Sequence, residues 1–497
     1  MSRRITALAI TLLLLFGLIA AQAINVQFVR APALNASPLN PRTTNASSQF
    51  PRGDIAGGDG TILAQSVTSP GSSSYHRQYP LGSLTSGVVG FVSPTYGLWG
   101  LEAQYNQYLS PHAQPPQSLA QLLAPTSAAD SITLTLQPSL QLVLRRVLAG
   151  RDGAAVAIDP RDGSVLAMYS NPNYDPRPLT SSDATVAEAA WKNYTTPDVH
   201  NFQPLGLLAT QQSFPPGSTF KVVTTAAAIS SRADLVIKKY PVLATTKLPN
   251  TIKTLSNFGM ERCGGDVAEM LPPSCDTGYA LLGLDIGADA MSSMANAFGF
   301  NQAPPLDLPG VAAGTFPDAQ SFATNLPGLA YSSIGQENVR ATALSNALVA
   351  AGIAHGGTIM TPHLLREVTS PEGTVVHRYQ ARPWLKPLSQ FQAGKIVPLM
   401  QNVVRYGTAA GLFPAWANVA AKTGTAQVGN GAQNTDDWMI AFAPATHPTV
   451  AVAVVLPFQD VSGTGAAIAG PVVNCLLLGA LAVQSHKPAW GTATTCR

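Results

Sequence analysis

The chain begins MSRRITALAITLLLLFGLIAAQAINV, and no other stretch limits its architecture so strongly. Arg3 and Arg4 precede an apolar run from Ile5 to Ala21 that reaches Val26 if Gln22 and Asn25 are tolerated. A helix needs about 20 apolar residues to span a bilayer, so residues 5–26 read as a transmembrane anchor. The flanking arginines put residues 1–4 in the cytoplasm. Ala21-Gln22-Ala23 also resembles a signal-peptide cleavage site, although the run is longer than a usual signal core. Either reading puts the remainder outside the cytoplasm, where disulfides persist. Cys263 and Cys275 are the favoured pair because both lie in a Gly/Pro-rich loop region; Cys475 and Cys496 are the other close couple. The second apolar stretch, Gly465 to Val483, contains Pro471, Asn474 and Cys475 and follows two strand-like runs, so it reads as a core helix packed on a sheet.

The body has a composition suited to large cores. It is 46% hydrophobic and only 11% charged, against about a quarter charged in ordinary globular chains. Net charge is +3 with no long basic run, which excludes a nucleic-acid-binding surface of the usual kind. The eight histidines are scattered, and none stands at ligand spacing from a Cys or carboxylate. No metal and no cofactor are expected.

A length of 497 residues suggests two or three domains. A Pro/Asn/Ser/Thr-rich linker runs roughly over 31–51, and residues 52 to about 125 read as irregular and turn-rich. A strand is expected over Ser131–Gln137 and a helix over Pro138–Leu148. Arg161-Asp162-Gly163 marks a hairpin between AAVAIDP and SVLAMYS. Helices are expected at about 218–230, 277–298 and 341–355, and strands at 418–428, 437–443 and 449–456. The pattern predicts a small N-terminal module on a stalk and a larger mixed α/β domain.

FPPGSTFKVV, residues 214–223, sets Ser218 three residues before Lys221 in a segment with no other charge. Pro216 and Gly217 make a turn, and the run after them is helical, so Ser218 falls in the first turn and shares a face with Lys221. The helix is apolar nearly all round, which predicts burial. Desolvation and the positive end of the helix dipole both favour a neutral lysine. A neutral amine beside a hydroxyl is a general base beside a nucleophile. Taken alone, the spacing is far more often that of an N-cap serine and an outward lysine, since such spacings are common by chance. It is not alone: Ser274-Cys275-Asp276 enters another helical run, and Lys422-Thr423-Gly424-Thr425 lies in a strand-like stretch.

The ordered set S-x-x-K, S-x-D, K-T-G resembles the signature of serine penicillin-interacting enzymes. FPPGSTFKVVTTAAAI, AIDPRDGSVLAMYSNPNYDP, YSSIGQENVRATALSNALVAAGIAHGG, AAKTGTAQ and the stalk-side RGDIAGGDGTILA, RQYPLG and GLEAQYNQYL are similar to class B penicillin-binding proteins. The single anchor, short module and PPSCDT loop look most like the short A-type members of actinobacteria. The resemblance implies the penicillin-binding transpeptidase fold, an α/β (α+β) antiparallel sheet flanked by helices. It implies a pedestal over 27–146 and a transpeptidase domain over 147–497. It makes Ser218 the acylated nucleophile and Lys221 its base, with Ser274 relaying the proton and Lys422 supporting that relay. The N–H groups of Ser218 and Thr425 would form the oxyanion hole. Thr423 and Thr425 would hold the substrate's terminal carboxylate, and Gly424 would keep the strand surface clear for a substrate added as a strand. Asp276 stands where many relatives have Asn. A carboxylate there would raise the pKa of Lys221 and slow acylation unless Lys422 or a hydrogen bond offsets it.

Trp438 reads as a core residue, Glu337 and Asn338 as turn formers, His355 as a partner of a helix C-terminus, and Tyr174 and Asp175 as a structural turn. The function implied is D,D-transpeptidation of stem peptides ending in D-Ala-D-Ala, inhibited by β-lactams. A membrane is the other partner, with a glycosyltransferase and division or elongation proteins as candidates. The rivals are a D,D-carboxypeptidase, a serine β-lactamase, a β-lactam receptor and a non-catalytic scaffold.

Overall fold

The computed structural model describes residues 3–30, 50–68, 71, 73–113, 127–252, 254–429 and 434–487. Most of the expected linker and Cys496 lie outside these residues. Helix α1 (Arg3–Ile24) covers the N-terminal apolar run, and its Leu8, Leu13, Phe16 and Leu18 side chains are exposed. Among the described residues no helix is counted as long and apolar enough to cross a membrane.

Strands β1 (Ile55–Ala56), β2 (Ile62–Thr68), β3 (Tyr75–Gln78) and β4 (Ser131–Leu134) come next, then helix α2 (Pro138–Val147). The Asp-Gly turn joins β5 (Gly153–Ile158) and β6 (Val165–Asn171) as an antiparallel hairpin, as the sequence predicts. The central helices are α3 (Lys221–Ser231), α4 (Asp276–Ile286), α5 (Ala288–Ala297), α6 (Leu326–Ser332) and α7 (Ala343–Ala354). A second hairpin, β7 (Leu365–Thr369) and β8 (Val375–Arg378), precedes α8 (Gln390–Arg405). Three long strands, β9 (Ala420–Val428), β10 (Asn434–Ala443) and β11 (Val450–Asp460), lead into α9 (Gly470–Gln484).

Two readings change. The segment 277–298 is two helices, because Gly287 adopts φ +86° and breaks the run. Residues 52–125 are not merely irregular: β1, β2 and β3 belong to a six-stranded sheet of order β8-β7-β4-β1-β2-β3. Strands this short, paired with partners far along the chain, carry no periodic signal of their own. The same sheet draws β7 and β8 from beyond residue 147, so the two expected domains share it. Arg77 of β3 belongs to a buried ion cluster. Glu102 Oε2 accepts from Arg52 at 2.9 Å and Oε1 from Arg77 at 2.6 Å, all three side chains being almost wholly buried. Burial alone would raise the Glu102 pKa, but the two guanidiniums outweigh it and hold the carboxyl below its ordinary value.

The main sheet has order β6-β5-β11-β10-β9 and is antiparallel throughout. Every residue from Thr435 to Ala443 and from Val450 to Leu456 is buried, so helices cover both faces. The stretch expected to be a core helix is α9, packed with α2 against this sheet. Tyr174 ties the N-terminal unit to it: its hydroxyl donates to Ser86 O at 2.8 Å, and Ser86 Oγ donates to Tyr174 O at 2.6 Å. The strand β9 is the edge of this sheet, packed beside α8 and the turn Gly217–Phe220.

Candidate active site

Pro215 and Pro216 stop the preceding chain, and Gly217 turns it at φ +52°. Ser218 then lies in a 3₁₀ turn, Gly217–Phe220, and the α-helix proper begins at Lys221. The expected first turn is thus tighter than an α-turn. The reason is steric: a Cβ at Gly217 would sit 3.0 Å from Thr425 C and O, and one at Gly335 would sit 2.1 Å from Gly217 O. Gly217 N donates to Gly335 O at 2.9 Å. Two glycines therefore interlock and press the serine turn onto β9. Trp438 is wholly buried, as read, and its Nε1 donates to Pro215 O at 2.8 Å, bracing the same turn.

The structure brings Ser218, Lys221, Ser274, Asp276 and Lys422 together. All nine residues from Lys221 to Ile229 are buried, as the all-round apolar pattern predicts. Lys221 Nζ donates to Ser274 O at 2.6 Å, to Asp276 Oδ1 at 2.6 Å and to Ser274 Oγ at 3.3 Å. It also lies 5.5 Å from the Tyr279 ring centroid. Ser218 Oγ donates to Asp276 Oδ1 at 3.5 Å. The i, i+3 spacing thus puts serine and lysine at one carboxylate oxygen, and all three ammonium hydrogens are committed elsewhere. Once neutral, the amine keeps two N–H groups and gains a lone pair that can turn to the hydroxyl.

Burial lowers the Lys221 pKa, and Asp276 opposes it without cancelling it. The carboxylate acts in the direction the sequence suggests, but desolvation is the larger effect. Lys422 is wholly buried in β9 and held well below the usual lysine range, by burial first and by the nearby Lys221 charge second. Its Nζ donates to Ser274 Oγ at 2.8 Å and to Thr423 O at 2.9 Å. Ser274 Oγ therefore stands between two lysines. Its backbone takes φ +63°, a left-handed conformation rare for serine that aims both its hydroxyl and its carbonyl at these amines. The disulfide Cys263–Cys275 forms as favoured and fixes the residue between Ser274 and Asp276. Cys475 is bonded as well.

The K-T-G strand is the sheet's edge. A Cβ at Gly424 would lie 2.7 Å from Pro216 O and 2.9 Å from Thr219 Cγ2, so its bareness also admits the serine turn. Thr423 Oγ1 lies 2.7 Å from Thr408 Oγ1, and Thr425 Oγ1 accepts from Gly465 N at 2.9 Å. Sequence reasoning missed Thr408, Gly335, Gly465 and Asp437. Only Gly335 had a signal, inside the YSSIGQ stretch. Glu337 takes φ +58° in its loop, consistent with a turn former, and His355 caps the C-terminus of α7. Away from the cleft, Asp152, Asp198 and His200 gather at the surface, with His200 Nδ1 3.1 Å from Asp152 Oδ2.

A serine at a helix start, two desolvated lysines, a serine hydroxyl between them and an edge strand beside them define a serine acyl-transfer site. The family model for the penicillin-binding protein transpeptidase domain matches residues 153–478, and that for the penicillin-binding protein A dimerisation domain matches residues 52–127. The chain belongs to the penicillin-binding protein transpeptidase family. It is 32% identical over 500 residues to the peptidoglycan D,D-transpeptidase PbpA of Mycobacterium tuberculosis, covering 97% of this chain and 99% of that one. It is 33% identical to PbpA of Mycolicibacterium smegmatis, with the same coverage of both chains. Penicillin-binding protein A of M. tuberculosis, solved as its ceftriaxone acyl-enzyme complex, superposes with a TM-score of 0.78 at 32% identity, over 87% of this chain and 98% of that one. Its penicillin G acyl-enzyme gives 0.77 at 32% identity, over 87% of this chain and 100% of that one.

Proposed function

We propose that this protein is a peptidoglycan D,D-transpeptidase. Ser218 Oγ attacks the penultimate carbonyl of a stem peptide ending in D-Ala-D-Ala. The C–N bond breaks, D-Ala leaves, and the amine of a second stem resolves the ester. Neutral Lys221 takes the serine proton. Ser274, with Lys422 at its hydroxyl, passes a proton to the departing amine. The N–H groups of Ser218 and Thr425 stabilise the oxyanion. Thr423, Gly424 and Thr425 receive the substrate along the edge of β9, its carboxylate near Lys422. A carboxylate arriving there supplies the counter-charge that buried Lys422 lacks, which favours leaving Lys221 as the neutral partner.

The observation that carries the reading is Ser274 Oγ held by both lysines, next to a serine that shares a carboxylate oxygen with one of them. The relatives named as peptidoglycan D,D-transpeptidases and the β-lactam acyl-enzymes of the structural neighbours support it. We read α1 as a single-pass anchor with the catalytic domain outside the cytoplasm. Its apolar run follows Arg3 and Arg4, and its 22 residues rise about 33 Å. Residues 27–146 act as a non-catalytic pedestal, the surface for a glycosyltransferase and for division or elongation proteins. β-Lactams acylate Ser218.

The test is intact-mass spectrometry of the full chain in detergent with benzylpenicillin, followed by peptide mapping. A stable adduct on Ser218 is expected. An intact protein with intact drug would support a scaffold, and consumed drug without an adduct would make it a hydrolase. Release of D-Ala from stem peptides without cross-linked product would favour a carboxypeptidase.

A further inference from the structure

Directly across the strand pair from Thr425 stands Asp437. Its side chain is wholly buried, and among the described residues its Oδ1 has no hydrogen-bond partner. Its Oδ2 accepts from Thr435 Oγ1 at 3.3 Å, and a Cβ at Gly463 would meet that oxygen at 2.9 Å. A buried carboxylate oxygen without a donor is costly, so its persistence beside the K-T-G strand asks for a use.

We propose that Asp437 is a positioning residue for recognition of the substrate's terminal carboxylate: it decides whether the Thr425 hydroxyl donates into the cleft or back into the protein. The inference rests on the acyl-transfer reading above. A threonine hydroxyl has one hydrogen and two lone pairs. One lone pair of Thr425 already accepts from Gly465 N. Ionised Asp437 can only accept, so it claims the hydrogen, and Thr425 then offers a substrate carboxylate nothing. Protonated Asp437 donates to the second lone pair of Thr425, which frees the hydrogen for the substrate.

The surroundings let this proton come and go near neutrality. Burial pushes the Asp437 carboxyl up to about 6, with the Thr435 and Thr425 hydroxyls opposing. Neighbouring Asp436 on β10 is pushed up to about 7, by burial first and then by the Asp437 charge, while the bond from Phe458 N and the Arg340 charge oppose. β11 places Leu456 opposite Asp437 and carries Asp460, which is exposed and bonded to Ser462. β9 contributes Thr425, and the turn Gly465–Ile468 has no charged side chain.

The experiment uses the full chain in detergent and two probes, benzylpenicillin and its methyl ester, which differ in the carboxylate. For each protein the acylation rate constants are compared as a ratio, acid over ester, which cancels the base chemistry of Lys221. Asp437→Asn keeps the shape, always has an amide N–H to donate, and so mimics the protonated state. Its ratio should exceed that of the wild type by about tenfold at about pH 7.5 and match it near pH 5, the worth of one charge-assisted hydrogen bond. Comparing the two proteins removes the titration of Lys422, which both share. Thr425→Val should have a low ratio at both values. Equal ratios for Asp437→Asn and wild type at both pH values would overturn the inference while leaving Ser218 acylation intact. Absence of any Ser218 adduct would instead sink the acyl-transfer reading. If Asp437→Asn does not fold, wild type against Thr425→Val decides: their difference must widen toward acid, and a constant difference refutes the proposal.

Discussion

Replacing Asp276 with asparagine should move the acidic limb of acylation to lower pH. Lys221 Nζ lies 2.6 Å from Asp276 Oδ1, and the lysine is wholly buried while the aspartate side chain is 21% exposed. Two effects act on the amine. Burial lowers its pKa, and the carboxylate raises it by charge and by hydrogen bonding. Asparagine keeps an oxygen to accept from Lys221 and removes the charge. Only the lowering effect then remains at full strength. An opposite charge this close moves a pKa by about 1–3 units, and the solvent reaching Asp276 favours the lower part of that range. In the proposed mechanism the base is the neutral amine, which is present above the lysine's pKa, so a lower pKa extends activity toward acid. The midpoint of the limb should fall by about 1–2 pH units, and a pH inside the wild-type limb should show acylation faster by about tenfold for each unit. The assay is the rate of Ser218 labelling by a fluorescent penicillin across about pH 5–8. An unmoved midpoint would refute the reasoning that Asp276 opposes burial. A large loss at every pH would show that the carboxylate takes the Ser218 proton itself, as its 3.5 Å contact with Oγ allows.

Other substitutions test the supports of the site. Gly335→Ala places a Cβ 2.1 Å from Gly217 O at φ +76°, so the serine turn must shift; acylation should fall by about a hundredfold, read by penicillin labelling, with circular dichroism unchanged. Glu102→Ala leaves two buried guanidiniums unpaired and should cost about 3–5 kcal/mol, seen as an earlier thermal transition. Cys263→Ser with Cys275→Ser opens a bridge between residues 12 apart. It should cost about 3 kcal/mol and slow acylation, because Cys275 sits between Ser274 and Asp276; labelling that is unaffected would mean the loop holds its shape without the bond.

What could be read from the sequence is what was written locally. The Asp-Gly hairpin, the long strands of the main sheet and the buried helix after Ser218 each carry their own pattern, and the structure keeps them. The six-stranded sheet was hidden because β1 and β7 are short and their partner β4 is distant from each. Within the site, the three motifs supplied the reacting groups but not the wiring. Spacing alone joins Ser218 to Lys221, whereas the fold routes the lysine's hydrogens to Ser274 and Asp276, residues more than fifty positions further on. Gly424 reads as room for substrate, and the structure adds what no motif shows, that a Cβ there would also meet Pro216 O and Thr219 Cγ2 of the Ser218 turn. Asp437 had no motif at all, since its meaning comes from a strand register and from an oxygen with no donor. Motifs report which atoms a reaction needs. Which proton each atom holds depends on burial and on neighbours brought in from elsewhere, and in this site two lysines and two aspartates, none exposed by more than about a fifth, share that decision.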